Sequence, residues 1–354
     1  QATKDLPLDV FFMVPSCVPA TDLDESGACL NADDITPFYN DRRVLGLAEM
    51  MNAFGVNQAD GSVLSKIKTT LEHDRIVDGH APLLTGKELN AYTAAGIRSD
   101  HECSNIAEAK EKLSRGQWIM IREGTAAKNL QELMPLFEAP YYNRILLVTD
   151  DKHPLDLLND GHIDAIIRKA VHLGANPIRA IKAGSLNAAT YFGLRDTGAI
   201  APGYDADIVV LNDLTDLHVQ EVYKQGTLIS ECGQITTAVN SNTDSIPERV
   251  IHSFHVEKIT PAQLVIPKQG KHIRVIELHA GELLTSERTA NWNTDTSAKD
   301  WADGINPDDD IIKIVAIERH KNTGHLGKGF LGGYGLKKGA VATSIGHDSH
   351  NLVV

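Results

Sequence analysis

The first two hundred residues carry short apolar runs at regular spacing, with amphipathic stretches between them. The runs are residues 9–14 (DVFFMV), 44–50 (VLGLAEM), 75–79 (RIVDG), 95–99 (AGIRS), 118–122 (WIMIR) and 145–149 (ILLVT). Between them, residues 107–115 (AEAKEKLSR) and 129–137 (NLQELMPLF) repeat their apolar positions near the 3.6-residue period of a helix. Brief β-branched runs alternating with helical periodicity predict a parallel sheet covered by helices. Any single run also reads as a buried piece of helix, but their shortness favours strands.

The polar residue at the end of each run narrows the architecture. Glu49 lies in the second run, His80 follows the third, His101 the fourth, Glu123 the fifth and Asp150 the sixth, at intervals of 31, 21, 22 and 27 residues. Each interval accommodates one strand, one helix and two loops. An ionisable group at the C-terminal end of successive parallel strands is where a (β/α)8 barrel builds its active site. Taken singly, each of these residues reads better as a helix cap or a loop acid; five in phase favour a common rim.

A closed barrel needs eight strands, and six precede Asp150. A last helical unit follows at residues 163–173 and 176–192, and then residues 198–211 and 222–229 read as glycine-punctuated β-structure. Six parallel strands cannot close and would leave unpaired edges. The expectation is therefore α/β: an incomplete (β/α)8 barrel at residues 1–196 that lacks its first two strands, as a fragment of a longer chain would. Part of a small β domain is expected at 197–240 and an α/β (α+β) C-terminal domain at 241–354. The last begins with a polar linker (NSNTDS) and continues with alternating runs at 272–279 and 311–317. Its glycine-rich stretch, 324–339, has no strand-to-helix dinucleotide context and no phosphate-loop lysine, so tight turns and close backbone approach are its expected use.

Composition removes several classes of function. The chain has 354 residues, 42% of them hydrophobic, with 34 basic and 47 acidic residues for a formal charge of −13. Disorder and coiled coil are excluded. No basic block is present to meet a phosphate backbone or an anionic membrane, so neither is an expected partner. No apolar run reaches the ~20 residues needed to span a bilayer, and the N-terminus lacks the order of a signal peptide. Cys17, Cys29, Cys103 and Cys232 are scattered without C-x-x-C spacing, which suits a reducing, cytoplasmic location. The chain starts with Gln instead of Met, so an upstream segment is expected to be missing.

Glu49, His80, His101 and Asp150 are deprotonated donors of the kind that hold Zn, Mn or Fe when they converge. A cation there lowers the pKa of bound water towards ~7. Asp150 is suited both to bind metal and to carry the proton of that water to a leaving group. Glu49 can bridge two cations.

Seven stretches resemble the bacterial adenine deaminases of the amidohydrolase superfamily: residues 8–19 (LDVFFMVPSCVP), 46–52 (GLAEMMN), 78–82 (DGHAP), 99–102 (SDHE), 148–151 (VTDD), 203–210 (GYDADIVV) and 347–351 (HDSHN). They cover nearly the whole chain. The GYDADIVV element is superfamily-wide, whereas Glu-Met-Met-Asn followed by Asp-His-Glu is specific. The resemblance implies a metallo-dependent hydrolase barrel with an adenine-deaminase C-terminal domain, removing the C6 amino group of adenine in purine salvage. It implies a binuclear divalent metal site (Mn, Fe or Zn) in which Glu49 bridges where many relatives use a carboxylated lysine. His80 and His101 match histidine ligands, and Asp150 the last-strand aspartate that binds metal and shuttles protons. Glu102 and Asp151 are implied as partners of the purine ring nitrogens or as groups orienting their neighbours, with Glu102 catalytic. His153 is expected near the substrate, and self-association into a homo-oligomer is common in the superfamily.

The resemblance has one departure. The family places a His-x-His pair on its first barrel strand, and here the first histidine of all is His73. The chain alone is therefore expected to be inactive. Two further readings stay open: an amidohydrolase acting on a cyclic amide, which would more typically carry lysine at position 49, and a non-catalytic interaction module. The terminal His347-Asp348-Ser349-His350 cluster reads as a loop network, a lid or a separate metal site.

Overall fold

The computed structural model describes residues 3–21, 23–238, 246–281, 283–292, 304–345 and 348–354. The chain forms two compact units, Gln1–Cys17 with Leu30–Ser245, and Val18–Cys29 with Ile246–Val354. Among the described residues no helix is long and apolar enough to cross a membrane.

In the first unit the six apolar runs form six strands: β1 (Phe12–Val14), β2 (Val44–Met50), β3 (Ile76–Gly79), β4 (Ser99–Asp100), β5 (Trp118–Arg122) and β6 (Ile145–Val148). They lie in chain order as two parallel triplets, β1-β2-β3 and β4-β5-β6. The triplets meet where the Arg98 amide donates to the Val77 carbonyl at 3.2 Å. At this seam a Cβ on Gly79 would lie 1.9 Å from the Ser99 carbonyl oxygen, so only glycine permits the approach. β4 is shorter than residues 95–99 predict, because Ala95 caps the preceding helix and Gly96 turns the chain at φ +101°.

The helices are α1 (Ala32–Ile35), α2 (Ala53–Asn57), α3 (Gly61–Glu72), α4 (Gly86–Ala94), α5 (Ile106–Ser114), α6 (Leu130–Leu133), α7 (Pro154–Asn159), α8 (Ile163–His172), α9 (Pro177–Gly184) and α10 (Leu186–Phe192). Asp60 and Asn105 accept amides of the first turns of α3 and α5, satisfying donors that helix geometry leaves unpaired. The helical pattern of residues 129–137 divides into α6 and a 3-10 turn, Met134–Phe137, at Pro135, which has no amide to donate. That of 176–192 breaks at Ser185, with φ −135° and ψ −89°. One apolar core gathers Leu47, Met50, Val77, Tyr92 and Ile97 around the first triplet; a second gathers Ile119, Ile121, Leu133, Phe137, Leu147 and Ile166 around the other. A four-stranded antiparallel sheet completes the unit: β7 (Ile208–Leu211), β8 (Val219–Lys224), β9 (Thr227–Glu231) and β10 (Gln234–Ile235).

The second unit contains a short helix, α11 (Glu248–Ile251), and strands β11 (His272–Glu277), β12 (Ser286–Asn291), β13 (Ile312–Ile317), β14 (Leu326–Gly332) and β15 (Leu352–Val353), in the order β12-β11-β14-β13-β15. The glycine-rich stretch expected to supply turns thus supplies the central strand. It pairs in parallel with β11 and antiparallel with β13. Close approach does account for its end, since a Cβ on Gly332 would lie 2.3 Å from Glu277 Oε2.

Nothing in the sequence marks Val18–Cys29 as part of this unit, yet its contacts there are specific. Ser349 Oγ donates to Asp24 Oδ2 at 2.9 Å, Asn351 Nδ2 donates to the Glu25 carbonyl at 2.7 Å, and Glu25 Oε1 lies 2.6 Å from His325 Nδ1. The terminal cluster is thereby placed in a loop network as far as it is described. His320 Nε2 sits 2.7 Å from the Ser349 carbonyl, while His347 lies outside the described residues.

Beside that network, the buried Glu318 carboxylate collects the amides of His320, Lys321 at 2.8 Å and Thr323 at 2.9 Å, and the Thr323 hydroxyl at 3.0 Å. Burial opposes its ionisation, but these donors outweigh burial and bring its carboxyl from 4.5 down to about 2. A depressed carboxylate contributes stability that is complete above its unfolded pKa and disappears as pH falls through the folded one. Glu318→Gln is expected to cost the second unit about 2 kcal/mol at neutral pH. In thermal melts the gap to the parent protein should narrow below pH 4.5 and close near pH 2.

Candidate active site

Side-chain alternation along the strands divides their ends between two tasks. Ser99 and His101 face one side of β4 and its continuation, and Asp100 faces the other. On the first side, Glu49 Oε2 lies 3.1 Å from His80 Nδ1 and 3.1 Å from His101 Nε2. The two imidazoles meet edge to face with centroids 5.2 Å apart. Glu102 Oε1 stands 3.6 Å and 3.5 Å from the same two nitrogens. Glu49, His80 and His101 each bring a donor atom within 4.8 Å of the others, as do His101, Glu102 and Asp150. The structure therefore brings together Glu49, His80, His101, Glu102 and Asp150. Asp151 is exposed on the loop after β6, and His153, also exposed, turns its Nδ1 to the Leu155 amide as the N-cap of α7; neither belongs to these groups.

The backbone around the cluster is pinned from outside it. Tyr92 of α4, fully buried, accepts the His80 amide at 2.9 Å and donates to the Met50 carbonyl at 2.7 Å. Ser16 Oγ donates to the Glu49 carbonyl at 2.5 Å. On the outward side of β4, Asp100 Oδ1 accepts the amides of Ala81 at 2.9 Å and Glu102 at 3.2 Å, the residues that follow the two histidines. Lys112 of α5 answers with Nζ bonds to Asp100 Oδ2 at 2.8 Å, Glu108 Oε1 at 2.6 Å and the Ala81 carbonyl at 2.6 Å. Burial works against both charges. Their mutual attraction nevertheless holds the Asp100 carboxyl well below the usual carboxylate range and raises Lys112 above the ordinary lysine value.

Sequence reasoning missed three groups on the inner side. At the end of β5 it pointed to Glu123, but Glu123 turns away, pairing with Lys169 and accepting the Leu130 amide at 3.0 Å. Arg122 takes the inner position, with Nη1 on Asp150 Oδ2 at 2.9 Å and on Glu102. Asp78, two residues before His80 and so on its face, accepts from the hydroxyls of Ser99 at 3.0 Å and of Tyr191 from α10. Burial pushes the Asp78 carboxyl up against those hydrogen bonds. These groups underlie a cavity of about 230 Å³ lined by Ala48, Glu49, Asp78, His101, Met120, Val148 and Asp150. Without the register of β5 the sequence does not decide between Arg122 and Glu123, and nothing in the local sequence marks Tyr191.

The donor set fits a divalent cation. One carboxylate oxygen already lies between two imidazole nitrogens, in the mixed N and O chemistry that Zn, Mn and Fe accept. Burial opposes charge on Glu49 and on His101, yet their hydrogen bonds prevail, taking the Glu49 carboxyl down to about 2 and the His101 imidazole up to about 9. A cation bound at that edge takes the place of the His101 proton, since a metal-bound imidazole is neutral.

If the Asp100–Lys112 pair is what fixes both histidine turns, removing one partner strands a buried charge. Lys112→Met is expected to lower stability to urea by about 3–5 kcal/mol. Lys68→Met, an exposed change in an i,i+4 pair with Glu72, is expected to cost under ~0.5 kcal/mol in the same unfolding experiment.

The sequence profile of the amidohydrolase family matches residues 1–229, and that of the adenine deaminase C-terminal domain matches residues 282–354. A solved β-aspartyl dipeptidase from Fervidobacterium islandicum AW-1 aligns over 67% of this chain and 68% of its own, at 14% identity and a TM-score of 0.48. A protein named adenine deaminase from Desulfatibacillum aliphaticivorans is 44% identical over 354 residues, all of this chain and 61% of that protein. Another of that name from Dehalococcoides mccartyi is 46% identical over 353 residues, 100% of this chain and 60% of that protein. The chain thus spans about 60% of the length of the curated relatives it matches. With its profile running through all six strands and the cluster at their ends, the chain belongs to the amidohydrolase family.

Proposed function

We propose that this chain serves the hydrolytic deamination of adenine, in which water replaces the amino group at C6 and hypoxanthine and ammonia leave. The observation that carries the reading is the single Glu49 oxygen shared between His80 and His101. The purine is supported by the relatives, which are named adenine deaminases, and by the C-terminal profile match. On this reading the two strand triplets are six of the strands of a metallo-dependent hydrolase (β/α)8 barrel, followed by a small β domain and an α/β C-terminal domain.

Glu49, His80, His101 and Asp150 would hold a binuclear pair of divalent cations, Mn, Fe or Zn, with Glu49 as the bridge. When bound, such cations supply Lewis acidity that lowers the pKa of water towards ~7. Asp150 takes a proton from the attacking water and delivers it to the departing C6 nitrogen. Glu102, beside both imidazoles, serves the adjacent ring nitrogen, taking the second proton of the attacking water from the oxygen now on C6 and passing it to that nitrogen as ammonia leaves. Asp151 and His153, exposed on the loop that leaves β6, meet the purine edge. The site then runs from the half-buried Glu49, His80 and His101 to exposed contacts at its mouth.

The test uses the full polypeptide that carries this sequence, loaded with Mn2+. Adenine absorbance is expected to fall as hypoxanthine and ammonia form one to one, to stop with chelator and to return on adding metal. Glu49→Gln is expected to lower kcat by at least about 10²-fold together with metal content. Turnover of a cyclic amide with adenine untouched would move the chain to a different amidohydrolase activity. Neither activity, with no metal bound, would leave a non-catalytic module.

A further inference from the structure

We propose that Arg122 is the positioning residue that sets the Glu102 and Asp150 carboxylates in place for proton transfer. The inference rests on the reading that those two groups handle protons in the reaction. Arg122 is 3% exposed and shares a strand face with Met120, which lines the cavity. A single guanidinium nitrogen, Nη1, donates to Asp150 Oδ2 at 2.9 Å and also to Glu102 Oε1. Its Nε donates to Asn129 Oδ1 at 2.8 Å, and the Asn129 amide donates back to the Arg122 carbonyl at 3.0 Å. The side chain is thus clamped at its stem and engaged at its tip.

Each carboxylate is fixed by more than the arginine. Asp150 Oδ1 accepts the Asp151 amide at 2.6 Å, so both of its oxygens are held, and its backbone sits at φ +54°, a conformation aspartate tolerates better than most residues. Glu102 is 6% exposed and faces the two imidazoles through the oxygen that Arg122 holds. Two carboxylates, one after β4 and one after β6, flank the end of β5 and repel each other. A guanidinium that stays charged at any working pH offsets that repulsion and ties both to one atom. Arg122 neither offers a lone pair to a cation nor reaches the mouth of the site, so its effect passes through Glu102 and Asp150. Displacement of a reacting group by ~1 Å costs about 10²-fold in rate.

The experiment compares Arg122→Met, Arg122→Lys and Asn129→Ala in the full polypeptide, by kcat, KM for adenine, Mn2+ content and crystal structure. Arg122→Met is expected to lose about 10²-fold in kcat with KM within about threefold and metal content retained. Arg122→Lys, which restores one charged nitrogen, should recover at least about tenfold of that loss, and Asn129→Ala should lose about tenfold. In the crystal structure of the methionine variant the two carboxylates should separate by about 1 Å or more. A methionine variant with kcat within threefold of the parent overturns the proposal, as do carboxylates that stay in place, or a lysine variant no better than methionine. Should Arg122→Met fail to fold, the lysine and Asn129 variants decide by the same measures. Should the parent protein leave adenine unchanged, the proposed reaction falls while the crystallographic comparison still decides what Arg122 holds.

Discussion

Asp100 and Lys112 are two charges with almost no solvent, and the geometry of the inner cluster depends on their being satisfied. The carboxylate cannot stay ionised in that environment without donors, and beside Lys112 it draws on the amides just after His80 and His101. Satisfying one side chain therefore sets the turn after each of two strands. Lys112 closes the arrangement from α5 and reaches the Ala81 carbonyl as well, so helix, β3 and β4 share one anchor. Because β4 is only two residues long, parity alone assigns Asp100 to this anchoring and its neighbours Ser99 and His101 to the inner side.

Polar groups run the length of the inner side, among the apolar Ala48, Met120 and Val148. Tyr191, from a helix far along the chain, reaches Asp78 and Ser99; above them stand Glu49 and the imidazoles, and across from these Arg122 spans to Asp150. Four carboxylates, those of Glu49, Asp78, Glu102 and Asp150, face this space against one arginine and two histidines. A surplus of negative groups around half-buried imidazoles is expensive to maintain unless positive charge enters. This links the packing of the strand ends to the metal chemistry proposed for them.

Much of this was legible in the sequence because it rests on period. Runs that alternate with helical patterns fixed the strand positions to within a few residues, and an ionisable residue at each C-terminal end drew attention to Glu49, His80, His101 and Asp150. What was missed depends on parity or on distance along the chain. Glu123 and Arg122 are neighbours in sequence but point to opposite faces, and choosing between them needs the register of β5. Asp78 sits inside an apolar run, and its partner Tyr191 lies 113 residues away. The glycine-rich β14 has too few side chains to announce a strand; its pairing on both sides creates it.

The excursion of Val18–Cys29 has a consequence for how the molecule is made. Asp24 and Glu25 find their partners at Ser349 and Asn351, 325 and 326 positions later. Residues 18–29 leave the ribosome long before those partners exist, so they wait, paired only with water, through the synthesis of everything between. Closing a loop of that length is slow compared with the local pairing of β11 with β12. The second unit thus pairs β11 with β12 before its first-made residues can dock.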